Sequence, residues 1–287
     1  MIIIDKDKCN GCGLCEKICH EHCVTLPDNR PAINYDVCST CAQCIAICPQ
    51  KALSWDNQAP TAFDKTRLPS PDQLEELFQE RRSTRFFKKD KIERGYLEEI
   101  VKSGIYAPTE NFHLRAIIVD DEAILNELEQ TLMKITSRIN RFIFRPKLLS
   151  VLARMTGLSH TYLRSKAKVE NAVRRGHAFS SPPAAMVFII GEKRIPLSDA
   201  SAQYALANMI YCAQLKGIGS CLCGNGPIFF DKDRKTRERL KLQNREHILG
   251  ALFLGYPGIK FTNKVNGKVM PIQWNGVTKD EGSVRSE

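Results

Sequence analysis

The stretch Cys9-Asn10-Gly11-Cys12-Gly13-Leu14-Cys15-Glu16-Lys17-Ile18-Cys19 spaces four cysteines as C-x-x-C-x-x-C-x-x-x-C. The same spacing returns 29 residues later in Cys38-Ser39-Thr40-Cys41-Ala42-Gln43-Cys44-Ile45-Ala46-Ile47-Cys48, followed by Pro49. Nine of the twelve cysteines in the 287-residue chain fall within the first 48 positions. Such density requires either a disulfide framework or metal chemistry. The chain begins Met1-Ile2-Ile3-Ile4-Asp5 with no basic leader, so a cytoplasmic location is expected. Its longest apolar runs, such as Ala184 to Ile190, fall far short of the roughly 18 to 20 residues of a membrane span. In a reducing compartment disulfides are disfavoured, which leaves the clustered cysteines as metal ligands.

A zinc site uses four ligands as two separated pairs. Three cysteines at three-residue steps instead wrap one cube of iron and sulfur and leave the fourth to reach elsewhere. This is the bacterial ferredoxin run, whose fourth cysteine ligates the other cluster. The expected assignment is Cys9, Cys12, Cys15 and Cys48 on one 4Fe-4S cluster, with Cys38, Cys41, Cys44 and Cys19 on a second. Gly11, Gly13, Ser39, Thr40 and Ala42 are small enough for the backbone to curl close and aim N–H groups at cluster sulfurs. His20 stands where the pattern has proline, as Pro49 does in the second half. Cys23 aligns by the 29-residue offset with Ala52, and is read as a small buried residue in preference to a ninth ligand.

Pseudo-symmetry predicts short strands near Ile2–Ile4, Val24–Leu26, Ala32–Asn34 and Ala52–Ser54, with a helical turn after each cysteine run. A unit of under 60 residues with few large apolar side chains is marginal without its metal, so removing iron should unfold it.

The formal charge of +10 is unevenly placed. Residues 1–58 carry five Lys/Arg against seven Asp/Glu, whereas Lys134 to Arg175 holds eleven basic residues and one acid, Glu170. Ile135, Ile139, Phe142 and Ile143 interleave there with Lys134, Arg138, Arg141 and Arg145 at helical spacing. Three readings stay open: a helical insertion or lid with its apolar side inward, a helix on an anionic membrane surface, or a surface that attracts an acidic redox partner or an anionic substrate. Nucleic acid is not expected, because no recognition motif accompanies the charge.

Past Trp55 the composition changes. Asn57-Gln58-Ala59-Pro60 and Leu68-Pro69-Ser70-Pro71 frame a linker, which divides the chain into residues 1–58, a linker over 59–70 and a second domain over 71–287, with 134–178 as the basic insertion. Ser70 as N-cap, Pro71 at the first helical position and Gln73 in a capping box start a helix, with Leu74, Leu77 and Phe78 following at helical spacing. It delivers Arg81-Arg82-Ser83-Thr84-Arg85, whose guanidiniums and hydroxyls suit a phosphate and equally suit a solvated basic face. A second helix containing Leu97, Ile100 and Val101 ends near Gly104. Buried strands are predicted at Ala116–Val119, Ala184–Ile190 and Ile248–Leu254, and a small-residue helix over Asp199–Lys216 is stopped by Gly217. Gly217-x-Gly219-x-x-Leu222 follows a helix and lacks the third glycine of the dinucleotide fingerprint. Cys221 and Cys223 have no second pair nearby and read as buried thiols, and His160 and His177 fit surface or core as readily as proton donation.

Taken in order, these segments resemble the nitroreductase family of FMN flavoproteins, and the whole chain resembles a ferredoxin-nitroreductase fusion. The resemblance implies an α+β class: a ferredoxin-like two-cluster domain plus a nitroreductase-type sandwich, a central sheet wrapped by helices. It implies FMN held by Arg81, Arg82, Ser83 and Arg85, with Asn111 on the flavin and His113 where a glutamine is usual. It places the backbone of Cys223 and Gly224 near flavin N5, and Lys268 with Lys264 on the phosphate, Asn263 and Gly267 standing where arginines are common. It further implies a homodimer with FMN at the subunit interface.

Clusters pass single electrons, whereas FMN stores two and releases a hydride. The expectation is therefore an FMN-dependent oxidoreductase that takes electrons from a low-potential donor, such as a ferredoxin or flavodoxin, and reduces a small organic acceptor such as a nitro compound or quinone. The alternative is an electron-transfer module that delivers electrons to a partner protein. No side chain stands out as a catalytic acid.

Overall fold

The computed structural model describes residues 1–108, 113–144, 155, 159–224, 226–267, 269–275 and 277–278. In the cysteine-rich part, β1 (Ile2–Ile4) pairs antiparallel with β4 (Leu53–Trp55), and β2 (Val24–Thr25) with β3 (Ala32–Ile33). Two five-residue helices, α1 (Leu14–Ile18) and α2 (Gln43–Ile47), pack on each other. They lie inside the cysteine runs, not after them. The reason is backbone handedness: Gly13 (φ 76°) and Ala42 (φ 61°), the residues just before each helix, are left-handed and turn the chain into a helix between the second and third cysteines.

The 29-residue repeat extends to the backbone itself. Gly11 and Thr40, Gly13 and Ala42, and His22 and Lys51 are all offset pairs, and all six residues have positive φ. A left-handed alanine or threonine costs roughly 1–2 kcal/mol. At Gly11 no side chain would fit, because an added Cβ would sit 2.8 Å from the Asn29 carbonyl oxygen. Ile2, Val24, Ala52 and Leu53 form a small core with Cys15, Cys23 and Cys44.

The remainder is a four-stranded antiparallel sheet in the order β5-β6-β8-β7, built from β5 (Arg115–Val119), β6 (Ala185–Gly191), β7 (Gly219–Leu222) and β8 (His247–Gly255). The register pairs Ile117 with Phe188, Val187 with Leu252 and Cys221 with Phe253. All seven residues of β6 are buried, which explains its unbroken apolar run: both faces of the sheet are covered. Ala185, Val187 and Ile189 face a cluster with Leu97 and Ile100 of α4 (Arg94–Ser103) and Ala202, Leu206 and Met209 of α7 (Ser198–Leu215). Met186, Phe188 and Ile190 face Leu125 and Leu128 of α5 (Glu122–Ile139) and Phe230 of α8 (Gly226–Lys232). This is the α+β sandwich expected.

Small residues let α7 approach closely. A Cβ on Gly250 of β8 would come within 2.4 Å of Leu206 Cδ1. Gly217 (φ 70°) ends α7 by a left-handed turn, its N–H donating to the Gln214 carbonyl at 2.9 Å. The Ser70 capping box forms as read, Gln73 N donating to Ser70 Oγ at 3.2 Å and Ser70 N to Gln73 Oε1 at 2.9 Å, and starts α3 (Pro71–Glu80).

The burial expected of the strand at Ala116–Val119 is corrected, and the apolar spacing of α3 also stays short of a core. No residue of α3 is buried: the helix meets α7 along its margin, through the Phe78–Tyr211 ring pair and through Gln214 Nε2, which donates to the Leu77 carbonyl at 3.2 Å and to Glu80 Oε2 at 3.0 Å. β5 is an edge strand, so only Val119 is fully buried. The basic stretch begins as the last turns of α5, continues as a π-helical turn over Asn140–Phe144, and ends as α6 (Ser159–Arg175). A short helix, α9 (Arg234–Arg239), and a terminal hairpin, β9 (Gln273–Trp274) with β10 (Val277–Thr278), complete the described structure.

Phe188, fully buried and set edge-on to Phe230 at 5.6 Å, is the largest side chain in the sheet centre. Phe188→Ala should destabilise the second domain by about 3–5 kcal/mol, read as a lower guanidinium midpoint by circular dichroism. Anaerobic iron chelation should expose residues 1–58 to protease while residues 71 onward stay protected. Equal protection of both parts would mean that the first folds without metal.

Candidate functional site

The eight cysteines of the two runs occupy matched environments. Cys12 and Cys41 are exposed, Cys15 and Cys44 are buried, and Cys9, Cys38, Cys19 and Cys48 are half-buried, each offset pair alike. A small cavity is bounded by Cys38, Cys41 and Cys44 of the second run together with Cys19 of the first. The fold thus brings the fourth cysteine of one run to the other three, because α1 and α2 pack side by side and each ends at its fourth cysteine.

The backbone around these sulfurs is rich in donors. Thr40 N–H points at Cys38 Sγ at 3.4 Å and Ala52 N–H at Cys48 Sγ at 3.3 Å. Left-handed residues alternate in both runs, at Gly11 and Gly13 and at Thr40 and Ala42, a backbone pattern that can form an anion-binding concavity. Burial pushes the Cys44 thiol up to about 11, with the Cys41 thiolate adding to it, so a metal must displace a tightly held proton there. Among the described residues no three His, Cys, Asp or Glu side chains converge on one point as ligands of a single ion. A 4Fe-4S cube meets each of its four cysteines at a different iron and needs no such convergence.

Cys23 is part of this site. Its Sγ lies 3.3 Å from Cys19 Sγ, it is 4% exposed, and it borders the same cavity as Cys38, Cys41 and Cys44. Its counterpart in the repeat, Ala52, carries no sulfur but is equally buried.

The second candidate site lies along β7. After α3 the chain runs beside this strand: Ser83 bridges Ser220 in parallel, and Thr84 N–H donates to the Ser220 carbonyl at 2.8 Å. Phe87 bridges Pro257 beyond β8, and its N–H donates to Ser181 Oγ at 2.7 Å. Close docking requires Gly219, where a Cβ would overlap Thr84 at 2.5–2.8 Å.

Two cavities meet at buried Thr84. The smaller, about 220 Å³, is lined by Arg81, Arg82, Ser220 and Lys260. The larger, about 590 Å³, is lined by Arg85, Phe87, Cys221 to Gly224, Phe179 to Ser181, Leu132 and Thr136 of α5, and Arg164 and Lys168 of α6. Burial raises the Cys221 thiol, and the Arg85 charge, the Ser83 hydroxyl and the Arg81 charge all pull it back down. Arg81 and Arg85 thus stand on the two cavities either side of Thr84, with Ser83 bridged to Ser220 between them. Arg82, on the smaller cavity, also donates from Nη1 to the Gln79 carbonyl at 2.5 Å and the Arg81 carbonyl at 2.8 Å at the end of α3.

Cys223 is buried and its thiol pushed up to about 12 by burial, which makes it inert at neutral pH. Its N–H donates to the Ala251 carbonyl at 2.9 Å. Gly224 is the first residue past β7 whose N–H has no partner among the described residues, and the space over its Cα is open. Lys264 pairs with Glu76 of α3 and does not line the larger cavity. Asn111 and Lys268 lie outside the described residues. His113 Nε2 sits 2.7 Å from Ser198 Oγ, and its Nδ1 is buried without a partner among the described residues.

Ser181, Arg164 and Lys168 join the site without a motif of their own in the sequence. Ser181 carried a signal in the Ser180-Ser181-Pro182-Pro183 turn before β6. Arg164 and Lys168 were hidden within a uniformly basic stretch.

An antiparallel sheet with helices on both faces, an Arg-Ser-x-Arg strap on its edge and a cysteine-paired module ahead of it define an iron-sulfur oxidoreductase scaffold. Residues 78–256 match the Nitroreductase family and residues 8–63 the 4Fe-4S dicluster domain. The chain belongs to the nitroreductase family. Among solved structures it is similar to a nitroreductase with bound FMN from Desulfitobacterium hafniense DCB-2, at 16% identity and TM-score 0.52, over 69% of this chain and 97% of that one. It is similar also to a nitroreductase with bound FMN from Bacteroides fragilis NCTC 9343, at 20% identity and TM-score 0.50, over 70% and 99%. No curated protein matches the sequence. No helix among the described residues is long and apolar enough to cross a membrane.

Cys23→Ala should leave iron at about eight per chain in an anaerobic preparation, as expected if all eight run cysteines are the ligands. A loss of about four iron would make Cys23 a ligand.

Proposed function

We propose that the protein is an FMN-dependent oxidoreductase in which electrons from a low-potential donor pass through two 4Fe-4S clusters to the flavin and then to a small organic acceptor. The observation that carries this reading is the pair of cavities that meet at Thr84 beside β7, with Arg81 and Arg82 on the one of about 220 Å³ and Arg85 with Cys221 to Gly224 on the one of about 590 Å³. Cys9, Cys12, Cys15 and Cys48 hold one cluster, and Cys38, Cys41, Cys44 and Cys19 the other. FMN, when bound, converts single electrons into the electron pair that takes a quinone to a hydroquinone, or a nitro group to a nitroso group and water, with two protons.

The chain's own groups set the conditions for that chemistry. Arg81 and Arg85 supply charged donors for the phosphate and the electron-rich edge of the ring. The Gly224 N–H, without a partner among the described residues, is the donor available toward the reacting edge, since that of Cys223 is spent on Ala251. Asn111 and Lys268 complete the set in this reading. No carboxylate or histidine lines the larger cavity among the described residues, so solvent supplies the protons.

A homodimer follows from the family and from exposed apolar groups around the site. Leu222, Phe78 and Phe261 are each about half exposed, at 47%, 48% and 56%, and a second copy would cover them.

An Arg81→Ala/Arg85→Ala variant should lose most of its FMN on gel filtration and keep about eight iron per chain. Full flavin retention would discard the phosphate assignment. The protein reduced anaerobically with dithionite should be reoxidised by nitroaromatics or quinones. Reoxidation only by a protein acceptor would identify an electron-transfer module instead.

A further inference from the structure

The larger cavity is bordered by three cations, Arg85, Arg164 and Lys168, and by no carboxylate among its described lining residues. A groove of similar size between α5 and α9 shows the ordinary arrangement. There Lys134, Lys235 and Arg239 are interspersed with Glu127 and Glu238, and Arg239 holds Glu127 with Nη2 2.6 Å from Oε1.

Arg85 belongs to the group around Cys221, but Arg164 and Lys168 come from a different element. They stand four residues apart, on one face of α6. Neither makes an ion pair or hydrogen bond among the described residues, whereas Lys166 between them is paired with Glu170 at 3.8 Å. Two like charges one turn apart weaken their own helix unless an anion lies between them. The wall beside them is aromatic: Phe179 and Phe253 meet edge to face at 4.7 Å, and Phe229 and Leu132 continue the surface.

We infer that Arg164 and Lys168 form an anion subsite for the acceptor, so that the preferred substrate is a planar aromatic or conjugated compound bearing a carboxylate. The guanidinium takes the carboxylate by two parallel hydrogen bonds, the ammonium adds a point charge, and the rings stack on the apolar body. This deepens the oxidoreductase reading and rests on it for the site's being one of reduction.

The test compares 4-nitrobenzoate with neutral 4-nitrobenzamide, both for binding to the oxidised holoprotein by calorimetry and for reduction by the dithionite-reduced holoprotein. Wild type should bind the benzoate more tightly, with a preference that shrinks as salt rises. Arg164→Gln and Lys168→Gln should each weaken benzoate binding and raise its KM by about 10- to 100-fold, leaving the benzamide within about twofold. Arg164→Lys should lose part of the preference, and Lys166→Gln on the same helix should keep all of it. Flavin content should be unchanged throughout. Equal binding of the two compounds by wild type, an equal loss for both in the variants, or loss of flavin, which would assign these cations to the cofactor phosphate, each overturns the inference. Selective benzoate binding without reduction would overturn the reductase reading and leave the subsite standing. Reduction of both compounds without preference would do the reverse.

Discussion

The second domain depends on one constraint, the burial of β6 and β8 on both faces. Ala185, Val187 and Ile189 serve one core while Met186, Phe188 and Ile190 serve the other. With no face of the central strands free for polar chemistry, a site can form only at the margin of the sheet. β7 supplies that margin: it is short, it carries the small residues Gly219 and Ser220, and its outer edge accepts the strap at Ser83–Thr84. The guanidiniums reach the cavity because the strap is pinned by backbone bonds and by the fit of Thr84 over Gly219, which leaves the flanking side chains free to turn outward.

The cysteine-rich part solves a different problem. It has too few large apolar residues for a full core, and Ile2, Val24, Ala52 and Leu53 are supplemented by the cysteines themselves. Left-handed residues at matched positions bend both halves in the same way. The cost of a non-glycine residue at Thr40, Ala42, His22 and Lys51 is one that metal binding can offset, since that free energy is also folding free energy.

Much of this was legible in the sequence. The eight-cysteine repeat, the Ser70 capping box, the small-residue helix and the all-apolar strand at Ala185–Gly191 are local signals, and each appears close to its expected bounds. What sequence missed is mostly tertiary. The helical turns fall inside the cysteine runs because Gly13 and Ala42 are left-handed, a property of Gly13 that composition suggests and of Ala42 that it does not. β7 has no strand signal of its own, because its glycine serves the approach of Thr84 and not a turn. Lys264 looks like its neighbours in sequence, but it pairs with Glu76 of α3. Arg164 and Lys168 are told from Lys166 between them by the face of α6 that they occupy.

The strap at Ser83–Thr84 also bears on solubility. An exposed strand edge is a template on which another chain can add itself, and a sheet of four strands has two such edges. By bonding Thr84 to Ser220 and bridging Phe87 to Pro257, the chain occupies one of them with its own backbone. The other edge, β5, opens on Arg115, a charge anchored by Glu246 through paired bonds of 2.6 and 2.7 Å. A substitution that detached the strap, such as any side chain at Gly219, would thus do more than disturb the cavity: it would uncover a strand able to recruit other molecules into an aggregate.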